Sequence, residues 1–245
     1  MKRVIGYILT PIFYLIFGFI LIVFHPIQVI CYNLGGYSAH KRSVDIMNYL
    51  LIKTLIILGS RTKFVGFDQL PKNKPLIIIA NHQSMFDIPP VVWGFRKHHA
   101  KFISKKELGK GIPSISYNLR KGGSVLIDRK NPKQAINEIK KLGDKIEENN
   151  YSALIFPEGT RSKNGQMRKF KAGGIHALLE KVPSAYIVPF VIDGHYKLQE
   201  NGSFPLGIGN RLTYKVLPPF KAEGMNSEEV TAKTELLIRE ELNQE

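Results

Sequence analysis

The sequence of 245 residues contains little cysteine and few acidic residues. Cys31 is the only cysteine, so no disulfide can form within the chain, and neither a cysteine-based metal site nor a redox pair is available. This usage is compatible with a reducing compartment. Lysine and arginine number 35 against 20 aspartates and glutamates, giving a formal charge of +15. The excess favours an anionic partner, which could be nucleic acid, an acidic membrane surface or a phosphorylated substrate.

The sequence also lacks the signature of nucleic-acid-binding proteins, in which aromatic and basic residues are interleaved on a strand. No charged residue occurs from Val4 to Phe24, and Lys2 and Arg3 precede this run. A helix rising ~1.5 Å per residue over this run would just cross a ~30 Å hydrocarbon core. A membrane is therefore favoured over nucleic acid. A signal peptide shares the basic start, but the run is long for one and no small-residue cleavage site follows it.

A second helical segment is predicted after the first. His25-Pro26 should interrupt the apolar run, because proline disfavours helical geometry at the preceding residue, and residues 33–36 have the composition of a turn. The next segment, Lys41–Leu58, mixes charged and apolar residues, which suits a helix at the membrane interface better than a spanning helix. Its apolar residues recur at helical spacing, at Val44, Met47, Leu50, Leu51, Leu55 and Leu58.

Two arrangements of this N-terminal element stay open. In one, the first helix spans the membrane and the second lies flat. In the other, both helices form a hairpin that enters a single leaflet. Basic residues flank both ends of the pair, at Lys2-Arg3 and Lys41-Arg42, so the positive-inside rule chooses no direction for one span. This symmetry mildly favours the hairpin.

After Gly59, short apolar runs alternate with amphipathic helical stretches, which is typical of an α/β domain. Helices are predicted from Asn131-Pro132 to about Glu148, and from Asn226 or Ser227 to the C-terminus. No internal repeat or long linker is visible. We therefore expect a membrane-associated helical hairpin over residues 1–60 and one α/β catalytic domain over 61–245. Strands are predicted at Leu76–Ala80, Ser124–Ile127, Ala153–Phe156, Ile187–Ile192 and Leu212–Val216.

The segment NHQSMFD, residues 81–87, directly follows the first of these strands, and ligand sites in open α/β sheets lie just beyond strand ends. A turn between His82 and Asp87 would let their side chains meet, with Ser84 as the N-cap and Asp87 as its capping-box partner. A carboxylate beside the imidazole would make His82 a plausible general base. Judged alone, such a pattern is more often a helix cap beside an ordinary histidine.

The segment FPEGTRS, residues 156–162, follows another predicted strand. Gly159 suits a tight turn, which would present Glu158, Thr160 and Arg161 at its tip. The guanidinium of Arg161 can bind two phosphate oxygens at once. The alternative is a polar surface turn with a Glu–Arg ion pair.

Arg129 follows the predicted strand 124–127 and precedes a helix, and an arginine beside a helix N-terminus suits an anion. A solvated Arg129, or one paired with Asp128, is an equal alternative. Two further segments carry weaker signals. Lys101–Leu108 is basic, and Val188–Gly194 is a strand that leads into a turn.

In this order, the segments resemble the PlsC-type glycerolipid acyltransferase family. NHQSMFD looks like the family's N-H-x-S-x-x-D signature, and Lys101–Leu108 is similar to its F-x-x-K-x-E-L segment. GSVLIDR, FPEGTRS and VPFVIDG match its next three blocks, so the resemblance covers roughly residues 62–220. It implies a mixed α/β sheet flanked by helices and preceded by a two-helix membrane element.

The resemblance also implies an activity. The family members it is most similar to transfer an acyl group from acyl-CoA or acyl-carrier protein to the sn-2 hydroxyl of 1-acylglycerol 3-phosphate (lysophosphatidate), giving phosphatidate for phospholipid biosynthesis. His82 and Asp87 would be catalytic, and no metal or other cofactor would be needed. The implied substrate-binding residues are Lys105, Arg129, Glu158, Gly159, Thr160 and Arg161.

The expected mechanism is direct transfer without an acyl-enzyme. Asp87 orients His82, which takes the proton from the acceptor hydroxyl as its oxygen attacks the thioester. Backbone N–H groups after His82, or Lys105, would stabilise the oxyanion. The expected partners are membrane lipids, lysophosphatidate and the thioester donor, with no nucleic acid. The catalytic domain is expected on the cytoplasmic side of the inner or cytoplasmic membrane.

Three alternatives stay open. The same centre could act on glycerol 3-phosphate or on another lysophospholipid. A hydrolase could use Ser84 or Ser162 as its nucleophile, although Ser84 lacks the G-x-S-x-G sequence of a nucleophile elbow. A non-catalytic membrane protein could bind anionic lipids through its helices and positive charge.

Overall fold

The apolar runs that follow Gly59 form the centre of a mixed β-sheet with helices on both faces. A computed structural model describes residues 2–244. The strands are β1 (Arg61–Val65), β2 (Leu76–Ala80), β3 (Ala100–Lys105), β4 (Val125–Ile127), β5 (Ser152–Ile155), β6 (Tyr186–Asp193), β7 (Arg211–Val216) and β8 (Phe220–Lys221). The α-helices are α1 (Lys2–Thr54), α2 (Ile88–Gly94), α3 (Ile115–Lys121), α4 (Pro132–Asn149), α5 (Ala172–Lys181) and α6 (Ser227–Glu241).

The sheet has the strand order β1-β7-β6-β2-β5-β3-β4, and β8 pairs with β6 outside this path. Strand β6 is antiparallel to β7 and β8, and all other neighbouring pairs are parallel. Because successive strand residues point to opposite faces, Ile78 packs on one face with α1 and α2, while Ile77 and Ile79 pack on the other with α4, α5 and α6. The predicted mixed sheet flanked by helices is confirmed.

Side-chain caps fix the starts of the two predicted helices. Asn131 Oδ1 accepts the N–H of Gln134 at 3.0 Å at the start of α4. Asn226 Oδ1 accepts the N–H of Glu229 at 2.9 Å at the start of α6. Both helices therefore begin where the sequence predicts, and each of the five predicted strands is present.

Helix α1 differs from the prediction at Pro26. The chain stays helical through His25-Pro26, and the break occurs instead at Gly36, where φ is 61° and ψ is −155°. Glycine tolerates this conformation because it has no Cβ. A proline inside a helix costs about 3 kcal/mol. Tertiary packing offsets this cost, and one such contact is the N–H of Ser114, which donates to His25 Nδ1 at 3.1 Å.

The stretches of α1 on either side of Gly36 pack against each other. Gln28 Nε2 donates to Met47 Sδ at 3.3 Å, and the rings of Tyr32 and His40 lie 5.6 Å apart. Tyr32 and His40 lie on either side of Gly36, and Gln28 and Met47 lie farther from it on the same two sides. The two stretches therefore run antiparallel.

The second stretch of α1 does not offer its apolar face to a membrane, as was expected of an interfacial helix. Among the predicted apolar positions, Leu50 is exposed, and the buried ones are Val44, Met47, Leu51, Leu55 and Leu58. The segment from residue 2 to 58 contains a helical stretch that is long and apolar enough to cross a membrane. Its exposed apolar side chains form a stripe along the first stretch that includes Val4, Ile8, Ile12, Leu15, Phe19, Ile22, Ile30 and Leu34.

Candidate active site

His82 and Asp87 meet where the chain leaves β2. The chain turns through a short 3-10 helix, Met85–Asp87, before α2 begins. His82 Nδ1 lies 2.8 Å from Asp87 Oδ2. Ser84 Oγ accepts the N–H of Phe86 at 3.2 Å, and the N–H of Ser84 donates to Asp87 Oδ2 at 3.0 Å. The predicted capping box is therefore present, and Asp87 binds both the helix start and the imidazole.

The imidazole of His82 is held on one edge and one face. Its ring stacks on that of Phe156, with a centroid distance of 4.1 Å and an angle of 17° between planes. The side chain is 17% exposed, and its Nε2 has no hydrogen-bond partner among residues 2–244. Because Nδ1 faces the carboxylate, Nε2 is the atom that can take up a proton from a bound molecule.

Asp87 has a second imidazole beside it. His195 Nδ1 lies 2.8 Å from Asp87 Oδ1, and both side chains are fully buried. Burial would raise the pKa of Asp87, but the contacts with His195 and His82 lower it below the ordinary value of 3.8. Asp87 therefore stays ionised at neutral pH. His195 was not predicted, because it follows the matched segment Val188–Gly194 with no characteristic spacing of its own.

The backbone N–H groups that follow the histidine are already engaged. Those of Gln83 and Ser84 donate to Asp87 Oδ2, at 2.7 and 3.0 Å. That of Met85 donates to Gln199 Oε1 at 3.2 Å. The expectation that these groups stabilise an oxyanion is therefore wrong. Lys105, at the end of β3, remains as the predicted oxyanion donor.

Glu158 links the turn after β5 to the histidine. Its Oε1 accepts the N–H of His82 at 2.7 Å, and its Oε2 accepts the N–H of Arg168 at 3.0 Å. Burial raises the pKa of Glu158, and these two N–H groups act in the opposite direction. The carboxylate is directed at the backbone, whereas the sequence suggested that it lies at the tip of the turn. Glu158 thus fixes the turn against His82, and the N–H of Ser162 adds a bond to His82 O at 2.8 Å.

The segment after β4 contacts the turn after β5. Arg129, which follows β4, donates from Nη1 to the carbonyl oxygen of Gly159. Gly159 has a φ of 72°, in the left-handed region that glycine adopts readily. Asp128 pairs with Lys106 at 2.5 Å, so it does not pair with Arg129, which was one alternative.

Three of the predicted substrate-binding residues are exposed at this edge of the sheet. Thr160 and Arg161 lie at the tip of the turn, and Lys105 ends β3. Within residues 2–244, neither Arg161 nor Lys105 has an ion-pair partner, so the Glu158–Arg161 pair of the alternative reading is absent. Both cations are therefore available to an anionic ligand.

The two serines considered as nucleophiles are buried, and each hydroxyl contacts a side-chain amide oxygen. Ser84 Oγ donates to Gln199 Oε1 at 2.9 Å while it caps the helix. Ser162 Oγ donates weakly to Asn164 Oδ1, at 3.4 Å. Neither hydroxyl bonds to an imidazole within the described chain, so neither has the activating partner that a serine nucleophile needs.

A histidine–carboxylate pair with a free Nε2, next to an exposed arginine at the carboxyl edge of a mixed sheet, defines an α/β protein with the groups for general-base chemistry on an anionic substrate. The chain belongs to the acyltransferase family, whose model matches residues 61–193. The matched range includes His82, Asp87, Arg129 and Arg161 and ends just before His195.

Relatives and a solved structure agree with this assignment. The 1-acyl-sn-glycerol-3-phosphate acyltransferase alpha of Ovis aries is 28% identical over 193 residues, which are 78% of this chain and 64% of that protein. The 1-acyl-sn-glycerol-3-phosphate acyltransferase of Limnanthes douglasii is 31% identical over 210 residues, covering 84% of this chain and 68% of the relative. The chain thus spans just under two thirds of the sheep protein's length.

The crystal structure of PlsC, the 1-acyl-sn-glycerophosphate (LPA) acyltransferase of Thermotoga maritima, has the same fold. Its TM-score to this chain is 0.82 at 24% sequence identity, covering 100% of this chain and 99% of that one. The similarity therefore includes α1 as well as the sheet.

Proposed function

We propose that this protein transfers a fatty acyl group from acyl-CoA or acyl-carrier protein to the sn-2 hydroxyl of 1-acylglycerol 3-phosphate, forming phosphatidate. The observation that carries the proposal is the His82–Asp87 pair. The ring is fixed at Nδ1, 2.8 Å from Asp87, and stacked on Phe156, while Nε2 is unpartnered in residues 2–244. This arrangement suits a base that removes a proton from a bound hydroxyl.

The chemistry needs one base, one cationic oxyanion donor and no covalent enzyme intermediate. His82 Nε2 takes the hydroxyl proton as the oxygen forms a bond to the thioester carbonyl carbon. The carbon–sulfur bond then breaks, and the leaving thiolate takes the proton from His82. Asp87 stabilises the transient imidazolium. Lys105 is the proposed oxyanion donor, since the nearby backbone N–H groups are occupied.

The acceptor's phosphate is the proposed ligand of Arg161. Its guanidinium is exposed on a turn that Glu158 and Arg129 hold in place through backbone atoms of His82 and Gly159. Turn and base are therefore fixed relative to each other. Binding the phosphate at this turn would position the acceptor hydroxyl for His82. Such positioning lowers the activation barrier because the acceptor loses its translational and rotational freedom on binding and not in the reaction step.

We propose a membrane-bound location, which the packing of α1 supports. One face of its first stretch lies on the catalytic domain: Thr10 Oγ1 accepts the N–H of Leu206 at 2.9 Å, and Ser114 Oγ donates to Leu21 O at 2.6 Å. These contacts lie ~16 Å apart along a helix axis. A spanning orientation would pull both domain segments into hydrocarbon, where polar backbone is costly. We therefore propose that the exposed apolar stripe enters one leaflet.

The catalytic domain then lies at the membrane surface, where both lipid substrates reside. The positive charge of +15 would favour an anionic leaflet, such as the cytoplasmic face of a cell membrane.

The test is an acyl-transfer assay on purified protein in mixed micelles, with labelled lysophosphatidate and a panel of acyl-CoA and acyl-carrier-protein thioesters. We expect phosphatidate and one equivalent of free thiol. Glycerol 3-phosphate and lysophosphatidylcholine serve as competing acceptors. Preferential acylation of either one would contradict the assigned acceptor, and the absence of transfer to any acceptor would contradict the activity.

A further inference from the structure

The end of β6 and the segment that follows it are hydrogen-bonded to the segment that contains His82. Asn81 exchanges two hydrogen bonds with the backbone of Ile192, both at 2.8 Å. Gln83 Oε1 accepts the N–H of His195 at 2.9 Å. Farther along, Gln199 accepts bonds from Ser84 and Met85. These contacts fix His195 on the side of Asp87 opposite His82.

The partner of the other ring nitrogen determines which nitrogen of His195 carries the proton. His195 Nε2 is in hydrogen-bond contact with the hydroxyl of Tyr214. Burial, together with the negative charge of Asp87, raises the pKa of Tyr214 well above its ordinary value, so the hydroxyl keeps its proton and can donate it to Nε2 when Nδ1 carries the ring proton. Nε2 is then the acceptor, and Nδ1 carries the ring proton. Two acceptors 2.8 Å apart would repel, which independently requires a proton on Nδ1 beside Asp87 Oδ1.

The contact between His195 and Asp87 is short but not well aligned. Within residues 2–244, neither His195 Nδ1 nor Asp87 Oδ1 has an aligned hydrogen-bond partner. Such bonds in enzymes without substrate are often poorly aligned and tighten in the substrate complex. Without His195, Oδ1 would be a buried carboxylate oxygen with no donor, a costly state that favours rotation of the carboxylate.

We propose that His195 is a positioning residue that holds Oδ1 of Asp87, so that Oδ2 stays on Nδ1 of His82 throughout the reaction. His195 touches neither substrate nor the reacting atoms in this role. The inference rests on the proposed function, which assigns His82 as the base, and adds a residue beyond the matched family range.

Two amide variants test the role, because each imitates one ring nitrogen. His195→Asn places an amide nitrogen near the position of Nδ1 and can still donate to Asp87. His195→Gln places it near Nε2 and cannot. We expect kcat within about threefold of wild type for Asn but reduced about tenfold or more for Gln, with acceptor KM nearly unchanged in both. Equal kcat values, or a more active Gln variant, would overturn the role.

The pH profile adds a readout that a purely structural role would not change. The His195 contact lowers the pKa of Asp87, so its loss should raise that pKa, and the titration profile of the Asp87 carboxyl carbon, followed by NMR, should move to higher pH. We expect this shift in His195→Gln and not in His195→Asn. If His195→Gln does not fold, Tyr214→Phe replaces it. Removing the tyrosine hydroxyl leaves His195 Nε2 without a donor, so the ring proton can move from Nδ1 to Nε2 and away from Asp87. An unchanged kcat and pH profile in Tyr214→Phe would then refute the inference.

A spectroscopic measurement separates this inference from the proposed function. Wild-type protein that transfers no acyl group refutes the proposed function. The downfield proton NMR signal of His82 Nδ1–H then decides the positioning role without an activity assay. We expect that signal to move in His195→Gln and to stay near its wild-type position in His195→Asn. The same position in all three proteins would refute the positioning role.

Discussion

A buried charged group lies at each end of the parallel strands, and its surroundings favour the charged form at one end and the neutral form at the other. At the carboxyl end, Asp87 is fully buried, yet its pKa is lowered because His195 and His82 face it. At the amino end of β3, Lys101 is 4% exposed and faces the rings of Tyr37 and Tyr151 at 4.4 and 4.8 Å. Burial, with Lys41 and Lys145 nearby, lowers the pKa of Lys101 to about 7.

The difference lies in the partners. Lys101 Nζ donates to Gly122 O at 2.8 Å, but within the described residues no carboxylate lies at salt-bridge distance. Asp87 Oδ2 accepts two backbone N–H groups and contacts His82. The carboxyl end therefore holds a stable charge beside His82. At the amino end, a cation that burial disfavours contacts Tyr37, next to the break in α1 at Gly36. Substitutions should affect activity at the first end and pH-dependent stability at the second.

The largest effect is expected for His82→Ala. Loss of the proposed general base should lower kcat by about 10²–10⁴-fold and change the acceptor's KM little. Initial rates at saturating thioester, with the melting temperature as the folding control, measure this. Activity within a few-fold of wild type would fit the alternative of a non-catalytic lipid binder with a contaminating activity.

Asp87→Asn should be the next most damaging change. An amide in place of the carboxylate keeps the size of the side chain but removes the charge that stabilises imidazolium, and it presents an N–H₂ group to one of its donors. We expect kcat to fall about 10²-fold or more, with the wrong histidine tautomer contributing. Ser84→Ala is the control, because it shares the capping box but not the imidazole contact. A larger loss of kcat in Ser84→Ala would mean that capping, and not charge, is the role of Asp87.

Arg161→Ala should affect substrate binding more than turnover. Removing a charged hydrogen-bond donor costs about 1.5–3 kcal/mol, so the acceptor's KM should rise ten- to a hundredfold while kcat changes less. Lys163→Ala, an exposed cation two residues away, is the matched control and should leave KM near wild type. An unchanged KM in Arg161→Ala, or an equal rise in both variants, would remove the specific role of Arg161.

The smallest effect on activity, and the clearest on stability, is expected for Lys101→Met. In unfolded protein the lysine has its ordinary pKa of 10.5, against about 7 in the fold. Between these values the unfolded chain binds a proton that the folded chain does not, so wild-type stability rises with pH across this window.

The measurement is the melting temperature of wild type and Lys101→Met from pH 7 to 10. The difference, wild type minus variant, should increase with pH. A difference that stays constant, or that decreases with pH, would show that Lys101 is charged in the fold. Activity at saturating substrate should stay close to wild type, because Lys101 lies at the far end of β3 from His82.

Much of the α/β domain was predictable because local signals agreed with the tertiary structure. β2 is a continuous apolar run, and it is buried along its whole length. Ser84 and Asp87 have capping-box spacing, and the box forms. Strands β1 and β3 were not predicted, because lysines and arginines interrupt their apolar pattern. In β3 the buried charge of Lys101 is accommodated by aromatic rings that only the tertiary fold supplies.

Other features depend on contacts between distant parts of the chain. His195 meets Asp87 because β6 pairs with β2, and no local pattern marks that pairing. Glu158 points at the backbone of His82 because β2 and β5 are neighbours. At Pro26 the local rule predicted an interruption, but the helix stays intact there, where Ser114 from a distant part of the chain contacts His25.

The most direct test of the account is the fate of the acyl group when protein meets thioester without acceptor. Direct transfer by His82 predicts no burst of free thiol and an unmodified intact mass, followed by matched release of thiol and phosphatidate once lysophosphatidate is added. A stoichiometric thiol burst with one acyl group on the protein, on Ser84 or Ser162, would contradict the account and establish an acyl-enzyme.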